Sequence, residues 1–255
     1  MSGCELVRVE RRGPVAWLFI DSPGNRNAIG GAVLEGLVSE LDAALARPDV
    51  RVVVLTGAGD VFSSGADLRD TADPVAVEAA YRDLFGGIAG AGKPVVARVN
   101  GHCFGVAIGL AAVCDLSVAV DEAVFGFTEV RLGRTATLAS VVSLPRLRVS
   151  DAAEVLLRGS RFDGSRAAAL GLVNKAVPRD RLDLEVEEVV GDLLAGGPRA
   201  LANTKRLIRQ VTPVGGQEAW DLALRISRET VGSAEAREGW AAFREKRDPI
   251  WPTDG

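Results

Sequence analysis

Two segments of the sequence place a glycine-rich turn directly after an apolar run. The first covers residues 62–68 (Phe-Ser-Ser-Gly-Ala-Asp-Leu) and the second covers residues 100–106 (Asn-Gly-His-Cys-Phe-Gly-Val). Where such a turn opens a helix, its backbone N–H groups lack partners and the helix dipole adds positive potential. Two such turns together could hold the negative charge that develops on an oxygen during a reaction. Taken singly, each is more simply an ordinary tight turn at the carboxyl end of a parallel strand.

A hydrolase triad is a competing interpretation. Ser63 or Ser64, His102 and Asp115 supply the residue types, and a triad is defined by geometry rather than by chain order. The sequence lacks the G-x-S-x-G elbow, however, which argues against this chemistry.

The sequence also argues against metal and disulfide chemistry. His102 is the single histidine, which excludes a metal site that needs two imidazoles. The cysteines are odd in number and lack C-x-x-C spacing, so we predict reduced thiols at Cys4, Cys103 and Cys114.

The elements that must position the two turns follow from hydrophobic periodicity. Apolar runs without alternation at residues 50–55 and 94–99 are typical of strands buried on both faces of a parallel sheet. Strands that alternate with helices predict right-handed crossover units. From residue 152 onward we predict an almost wholly helical region. The other predicted elements are a hairpin at 6–21, helices at 32–45 and 105–113, and a strand at 116–120.

Composition describes an average globular chain. Its 255 residues are 47% hydrophobic and 25% charged, and the net charge is −4. The chain has no basic run, so we predict no binding of nucleic acid or anionic membrane. Its apolar segments are too short for a membrane span or a signal peptide, so we predict a cytoplasmic protein.

The chain as a whole resembles the crotonase (enoyl-CoA hydratase/isomerase) superfamily. Any one of the motifs that carry the resemblance is weak, but six in the same order are specific. They are Asn25-Arg26-Asn27-Ala28-Ile29, residues 62–68, Val99-Asn100-Gly101 with Gly105, Cys114-Asp115, Phe125-Gly126-Phe127-Thr128-Glu129-Val130-Arg131-Leu132-Gly133, and Phe243-Arg244-Glu245-Lys246-Arg247.

The resemblance implies an α/β fold with a spiral core of repeated ββα units and a C-terminal helical trimerisation region. We therefore predict a core at residues 1–195 that holds an acyl-CoA site, and an oligomerisation region at residues 196–255. The expected assembly is a homotrimer or a dimer of trimers. No metal or cofactor is implied, because coenzyme A arrives as part of the substrate.

The same resemblance assigns catalytic roles. The peptide N–H groups of Ala66 and Val106 match the pair that holds the thioester oxygen, and Glu129 matches a catalytic glutamate. Val106 stands where the family often has glycine, so we expect it to narrow or reshape the acyl pocket. Hydratases of the family carry a further glutamate at the position of Gly109, so Glu129 alone remains.

One carboxylate leaves two chemistries open. A single glutamate can move a proton between C4 and C2, which is Δ3,Δ2-enoyl-CoA isomerisation. It can instead both activate water and return a proton. The local pattern is similar to a hydratase branch in which glycine commonly replaces the first glutamate, so we predict an enoyl-CoA hydratase of fatty-acid or branched-chain acyl-CoA metabolism. A crotonase-fold protein that binds acyl-CoA without turnover is the third interpretation. Whether Asp67 or Asp70 replaces the missing acid is open.

The resemblance also suggests contacts to coenzyme A and the acyl group. The predicted set is Arg26, Asn27, Ala28, Ser64, Asp67, Leu68, Gly105, Gly109 and, from this or a neighbouring subunit, Lys246. Arg26 and Lys246 are candidate phosphate partners, although exposed basic side chains are commonly just solvated.

The stretch Arg134-Thr135-Ala136-Thr137 departs from the apolar, proline-containing sequence usual in the family. We expect Arg134 to lie near the acyl tail and to pair with a carboxylate or another polar group of the substrate. A solvent-facing loop arginine is the alternative.

Overall fold

The computed structural model describes residues 6–252, which form ten strands and ten α-helices. The strands are β1 (Val7–Arg12), β2 (Val15–Ile20), β3 (Val52–Gly57), β4 (Val61–Ser63), β5 (Val95–Val99), β6 (His102–Phe104), β7 (Leu116–Val120), β8 (Val124–Gly126), β9 (Arg161–Asp163) and β10 (Lys175–Val177). The helices are α1 (Gly31–Ala46), α2 (Pro74–Gly90), α3 (Val106–Val113), α4 (Thr137–Ser143), α5 (Val149–Arg158), α6 (Gly164–Ala169), α7 (Leu182–Ala195), α8 (Pro198–Val211), α9 (Gly216–Thr230) and α10 (Ala234–Glu245).

The strands form two sheets. The larger sheet has the order β1-β2-β3-β5-β7-β10 and is parallel except for the β1–β2 hairpin. The smaller sheet has the order β4-β6-β8-β9, with only the β8–β9 pair antiparallel. Strands β3, β5 and β7 each lead into a short strand of the smaller sheet. The predicted α/β fold with repeated ββα units is therefore confirmed.

Close backbone approach at the crossovers between the sheets requires glycine. A Cβ on Gly57 would lie 2.1 Å from Val61 O, and one on Gly101 would lie 1.8 Å from Asp60 O. The buried Asn100 amide holds these crossovers together, since its Oδ1 accepts from Gly57 N at 3.1 Å and its Nδ2 donates to Gly59 O at 2.7 Å. The Asn-Gly pair thus fixes where each turn leaves the sheet.

The core lies between the larger sheet and the helices. Val52, Val53 and Val54 are fully buried, as the absence of alternation predicted. Helices α1 and α2 pack together on the sheet, and α3 is buried along its whole length. These contacts give the two glycine turns a rigid support.

The region after residue 152 differs from the prediction of an almost wholly helical segment. Strand β9 closes the smaller sheet and β10 joins the edge of the larger one. The short strands β4, β6 and β8 were also not predicted. Each of these strands has three residues, which is too short for a period-two pattern to be recognised.

Within residues 6–252 no helix is long and apolar enough to cross a membrane. The same residues contain no cluster of three side chains able to ligate a metal ion. Cys103 and Cys114 are buried free thiols, and Cys4 lies outside the described part of the chain.

Candidate active site

Two backbone N–H groups are left free by the way the chain passes through the first turn and into α3. Ile29 and Ala66 form an isolated parallel β-bridge, in which Ile29 N donates to Gly65 O at 2.8 Å and Asp67 N donates to Ile29 O at 3.2 Å. The bridge therefore uses the carbonyl before Ala66 and the N–H after it, and leaves the N–H of Ala66 itself unused. Val106 is the first residue of α3, whose opening N–H groups have no acceptor within the helix. Across residues 6–252, the Ala66 and Val106 amides donate to no other protein group.

The two turns lie against each other. Gly65 and Gly105 have φ values of 91° and 55°, a region that favours glycine. A Cβ on Gly65 would lie 2.7 Å from Phe104 O, so the first turn fits against the second only without a side chain. As a result, Ala66 and Val106 line one cavity of ≈ 200 Å³.

The cavity is enclosed by five segments: the two turns, helix α2, the 3-10 turn Glu129–Leu132, and the loop that leads into α4. The sequence-predicted residues that line it are Ser64, Ala66, Leu68, Gly105, Val106, Glu129 and Arg134. These positions are far apart in the chain, and the structure brings them together.

Glu129 reaches the cavity directly beside the second turn. A Cβ on Gly105 would lie 2.6 Å from Glu129 Oε1, so the glycine makes room for the carboxylate. Glu129 Oε2 is buried and has no hydrogen-bond partner in the described structure. Burial raises the pKa of Glu129 above its ordinary value of 4.5, and the nearby charge of Arg134 opposes that rise. A carboxyl group in this state is suited to accept and return a proton.

Gly109 lies behind the cavity and does not line it. A Cβ at this position would lie 2.9 Å from Ala139 Cα and 3.2 Å from the Phe85 ring. A glutamate there has no space, because α4 packs on α3 at the glycine. The structure thus gives Gly109 a packing contact in place of the predicted substrate contact.

Asp67 and Asp70 are both used to hold the loop after the first turn. Asp67 accepts from Asn25 Nδ2 at 2.9 Å and from Arg69 N at 3.0 Å. Asp70 accepts from the backbone N–H groups of Gly31 and Ala72. These hydrogen bonds lower the pKa of each carboxyl. Neither residue lines the cavity, so neither lies where the missing acid would have to act.

The predicted coenzyme A segment around Asn27 has a structural task. The buried Asn27 amide donates to Ala58 O at 3.0 Å and Val61 O at 2.8 Å, and its Oδ1 accepts from Ser22 N at 3.0 Å. Ala28 is buried beside it. These contacts fix the backbone of the segment and engage both polar side-chain atoms of Asn27.

Arg26 lines a second cavity of ≈ 390 Å³ that adjoins the first. Its wall also contains His102, Arg131 and Arg161, and no acidic residue among the described ones. Lys246 ends α10 and lines neither cavity. The single chain therefore brings Arg26 close to the site, and Lys246 stays away from it.

Helix α2 supplies cavity residues that sequence reasoning did not identify. Pro74, Val77, Glu78 and Tyr81 recur at spacings of three and four and line the cavity together. Tyr81 is buried, and its hydroxyl donates to Ile29 O at 2.9 Å. The helical spacing after Pro74 is the signal in the sequence that could have placed the exposed Glu78 on the same helix face as Tyr81.

The hydrolase triad is not formed. His102 Nδ1 accepts from Val124 N at 3.1 Å, and Asp115 forms an ion pair with Lys205 at 2.7 Å. Ser63 Oγ accepts from Gly65 N at 3.1 Å, and Ser64 Oγ donates to Asn25 O at 3.2 Å. Each member therefore has a separate structural partner.

Comparisons with known proteins point in one direction. A family model described as enoyl-CoA hydratase/isomerase matches residues 10–254. A Thermus thermophilus protein described as an enoyl-CoA hydratase is 35% identical, over 96% of this chain and 99% of its own. Carnitinyl-CoA dehydratase of Citrobacter koseri is 32% identical, over 97% of this chain and 98% of its own. The crystal structure of a Mycobacterium smegmatis enoyl-CoA hydratase superposes with a TM-score of 0.91, at 30% identity, over 96% and 98% of the chains.

Proposed function

Because the chain belongs to the enoyl-CoA hydratase/isomerase family, we propose that it is a hydratase that adds water to α,β-unsaturated acyl-CoA thioesters. The observation that carries this proposal is the buried, unpartnered carboxylate oxygen of Glu129 in the cavity that also contains the free Ala66 and Val106 amides.

The thioester oxygen accepts hydrogen bonds from the two amides in this mechanism. Glu129 takes a proton from water while the water oxygen bonds to C3 and the C2=C3 electrons move toward the thioester. The amides stabilise the resulting enolate, with each oxyanion-hole donor contributing about 10²- to 10³-fold in rate. Glu129 then gives the proton to C2 and the carbonyl re-forms. Glu129 ends each turnover ionised, and one molecule of water has been added.

Isomerisation is the second candidate, and the Gly109 contacts favour it. Because Ala139 and Phe85 fill the space where a second glutamate would stand, one carboxylate must do all the proton transfer. Moving a proton between C4 and C2 of the acyl group needs only one carboxylate. The names of the relatives support the hydratase first, since dehydration of a carnitinyl thioester is hydration run in reverse.

The experiment follows the absorbance of the conjugated enoyl thioester with crotonyl-CoA and with trans-3-hexenoyl-CoA. We expect crotonyl-CoA to lose absorbance, and Glu129→Gln to slow this by about 10²- to 10⁴-fold. The control is Glu187→Gln, on an exposed position of α7. Absorbance gained only from the 3-enoyl substrate would establish the isomerase. Thioester binding without turnover of either substrate would establish the inactive acyl-CoA-binding protein.

The proposal also covers the binding of coenzyme A and the oligomeric state. The adjoining cavity around Arg26, with three further basic side chains, supports binding of the coenzyme A phosphates. Exposed tryptophans on α9 and α10 support a homotrimer or a dimer of trimers, in which Lys246 would serve a neighbouring site. Coenzyme A is again part of the substrate and no resident cofactor is proposed.

A further inference from the structure

Helix α2 presents one charged side chain to the acyl cavity. The cavity-facing positions on either side of it are Pro74, Val77 and Tyr81, and the helix continues on this face with buried residues. Glu78 therefore interrupts an otherwise apolar stripe. Within residues 6–252 it forms no hydrogen bond and no ion pair, so its carboxylate is available to a ligand.

Arg134 presents the opposite charge from a different wall. Its backbone N–H donates to Glu129 O at 3.0 Å, which fixes the loop at the end of the 3-10 turn. Its side chain lines the same cavity and has no acidic or carbonyl partner among the residues that the structure describes. The positive charge of the guanidinium lowers the pKa of Glu129.

Glu78 and Arg134 are both exposed, so they lie at the solvent side of the cavity wall, and an acyl group whose end reaches them displaces part of their water. A charge that loses water and gains no partner costs binding free energy. A plain alkyl chain leaves both without a partner. A terminal carboxylate would pair with Arg134 but would be repelled by Glu78. A terminal ammonium group would pair with Glu78 but would be repelled by Arg134. An uncharged group with both a donor and an acceptor satisfies the two side chains at once.

We propose that Glu78 and Arg134 form a polar subsite that selects short acyl groups ending in a neutral donor–acceptor group, such as a carboxamide. The proposal rests on the proposed function, since it takes the cavity as the acyl site. It extends the expectation for Arg134, because the partner charge on Glu78 changes the preferred terminus from a carboxylate to a neutral group. The cavity volume of ≈ 200 Å³ supports the restriction to short chains.

Binding of saturated thioesters tests the subsite without any turnover. The probes share one coenzyme A handle and a similar chain length: butyryl-CoA, succinyl-CoA, its terminal carboxamide and 4-aminobutyryl-CoA. Calorimetric Kd values are measured for the wild type, Glu78→Gln and Arg134→Gln. The matched controls are Asp83→Asn and Arg82→Gln, which change exposed charges of α2 outside the cavity wall. Circular dichroism spectra verify that each variant is folded.

We expect the wild type to bind the carboxamide about tenfold more tightly than butyryl-CoA. Glu78→Gln should shift the preference toward succinyl-CoA, and Arg134→Gln should shift it toward 4-aminobutyryl-CoA. Equal binding of the carboxamide and butyryl-CoA, or equal changes for all four probes in both variants, would overturn the subsite. If the order holds while no enoyl thioester is hydrated, the subsite stands and the proposed reaction falls. If no probe binds, both fall.

Discussion

The proposed chemistry at the residue scale centres on Glu129, a carboxylate held where its charge is poorly solvated. Gly105 gives it space, Oε2 has no partner among the described residues, and Arg134 is the one side-chain charge that moderates its pKa. The Ala66 and Val106 amides belong to the backbone, so the function proposed for them depends on turn geometry and not on side-chain type. Val106 can therefore serve although the family often has glycine at its position.

The pH dependence of kcat/KM should report this environment. Glu129 must start a hydration turnover ionised, so kcat/KM should fall as the pH drops through a pKa that lies above 4.5. Arg134→Gln removes the positive charge that lowers this pKa, so the acid limb should move to higher pH. The measurement is a pH profile with crotonyl-CoA, and Arg82→Gln is the control. A limb that moves to lower pH in Arg134→Gln would contradict the assignment.

The repeated β-strand pair determines the site at the scale of elements. Each strand of the larger sheet leaves through a close-packed turn, and Asn100 ties two successive crossovers together through Gly57 and Gly59. The first glycine turn then packs on the second, which aligns the two free amides. Helix α4 packs on α3 at Gly109, and this contact removes the space for a second catalytic glutamate.

Gly109→Glu should therefore destabilise the protein and should not improve hydration. The added side chain meets Ala139 backbone and the Phe85 ring, and an unpaired carboxylate would be buried among them. We expect a loss of at least about 2 kcal/mol in the free energy of unfolding, measured in urea. Gly86→Glu, at an exposed helix position with open space, is the matched control. A stable Gly109→Glu variant with faster hydration would show that the site can accept the second acid.

At the scale of the whole molecule, the C-terminal helices combine one secure attachment with a large exposed apolar surface. Lys205 of α8 is buried and pairs with Asp115 at 2.7 Å, which joins the helix to the core. On α9 and α10, Trp220, Trp240 and Phe243 are 67%, 68% and 78% exposed. Exposed aromatic side chains in this number are typical of an interaction surface.

This surface leads to a prediction about assembly. We expect light scattering after size-exclusion chromatography to give three or six times the protomer mass. The double variant Trp240→Glu, Phe243→Glu should give a smaller species, because charges would replace apolar contacts. Val9→Glu, on the N-terminal hairpin, is the control. A wild-type chain that elutes at the protomer mass at micromolar concentration would contradict a trimer.

The sequence by itself determined the family and the α/β class, and it predicted the residues of the candidate site. Glycine turns, buried strands and the Glu129 motif are local signals, because each depends on neighbouring residues in the chain. Family membership and fold class are confirmed. The exclusion of a triad and the structural use of Asp67 and Asp70 depended on contacts between distant segments.

Only the tertiary structure decided which groups share the cavity. Hydrophobic periodicity does not predict the three-residue strands, because hydrogen bonds to strands distant in the chain stabilise them. Glu78 has an ordinary helical context in the sequence, and the packing of α2 places it in the wall of the same cavity as Arg134. The sequence shows that glycine stands at position 109, where hydratases of the family carry a glutamate. The contact with Ala139 shows why no acidic side chain fits there. Interactions between residues close in the chain determine the turns and helices. Which of their side chains line the same cavity depends on how the helices pack on the sheets.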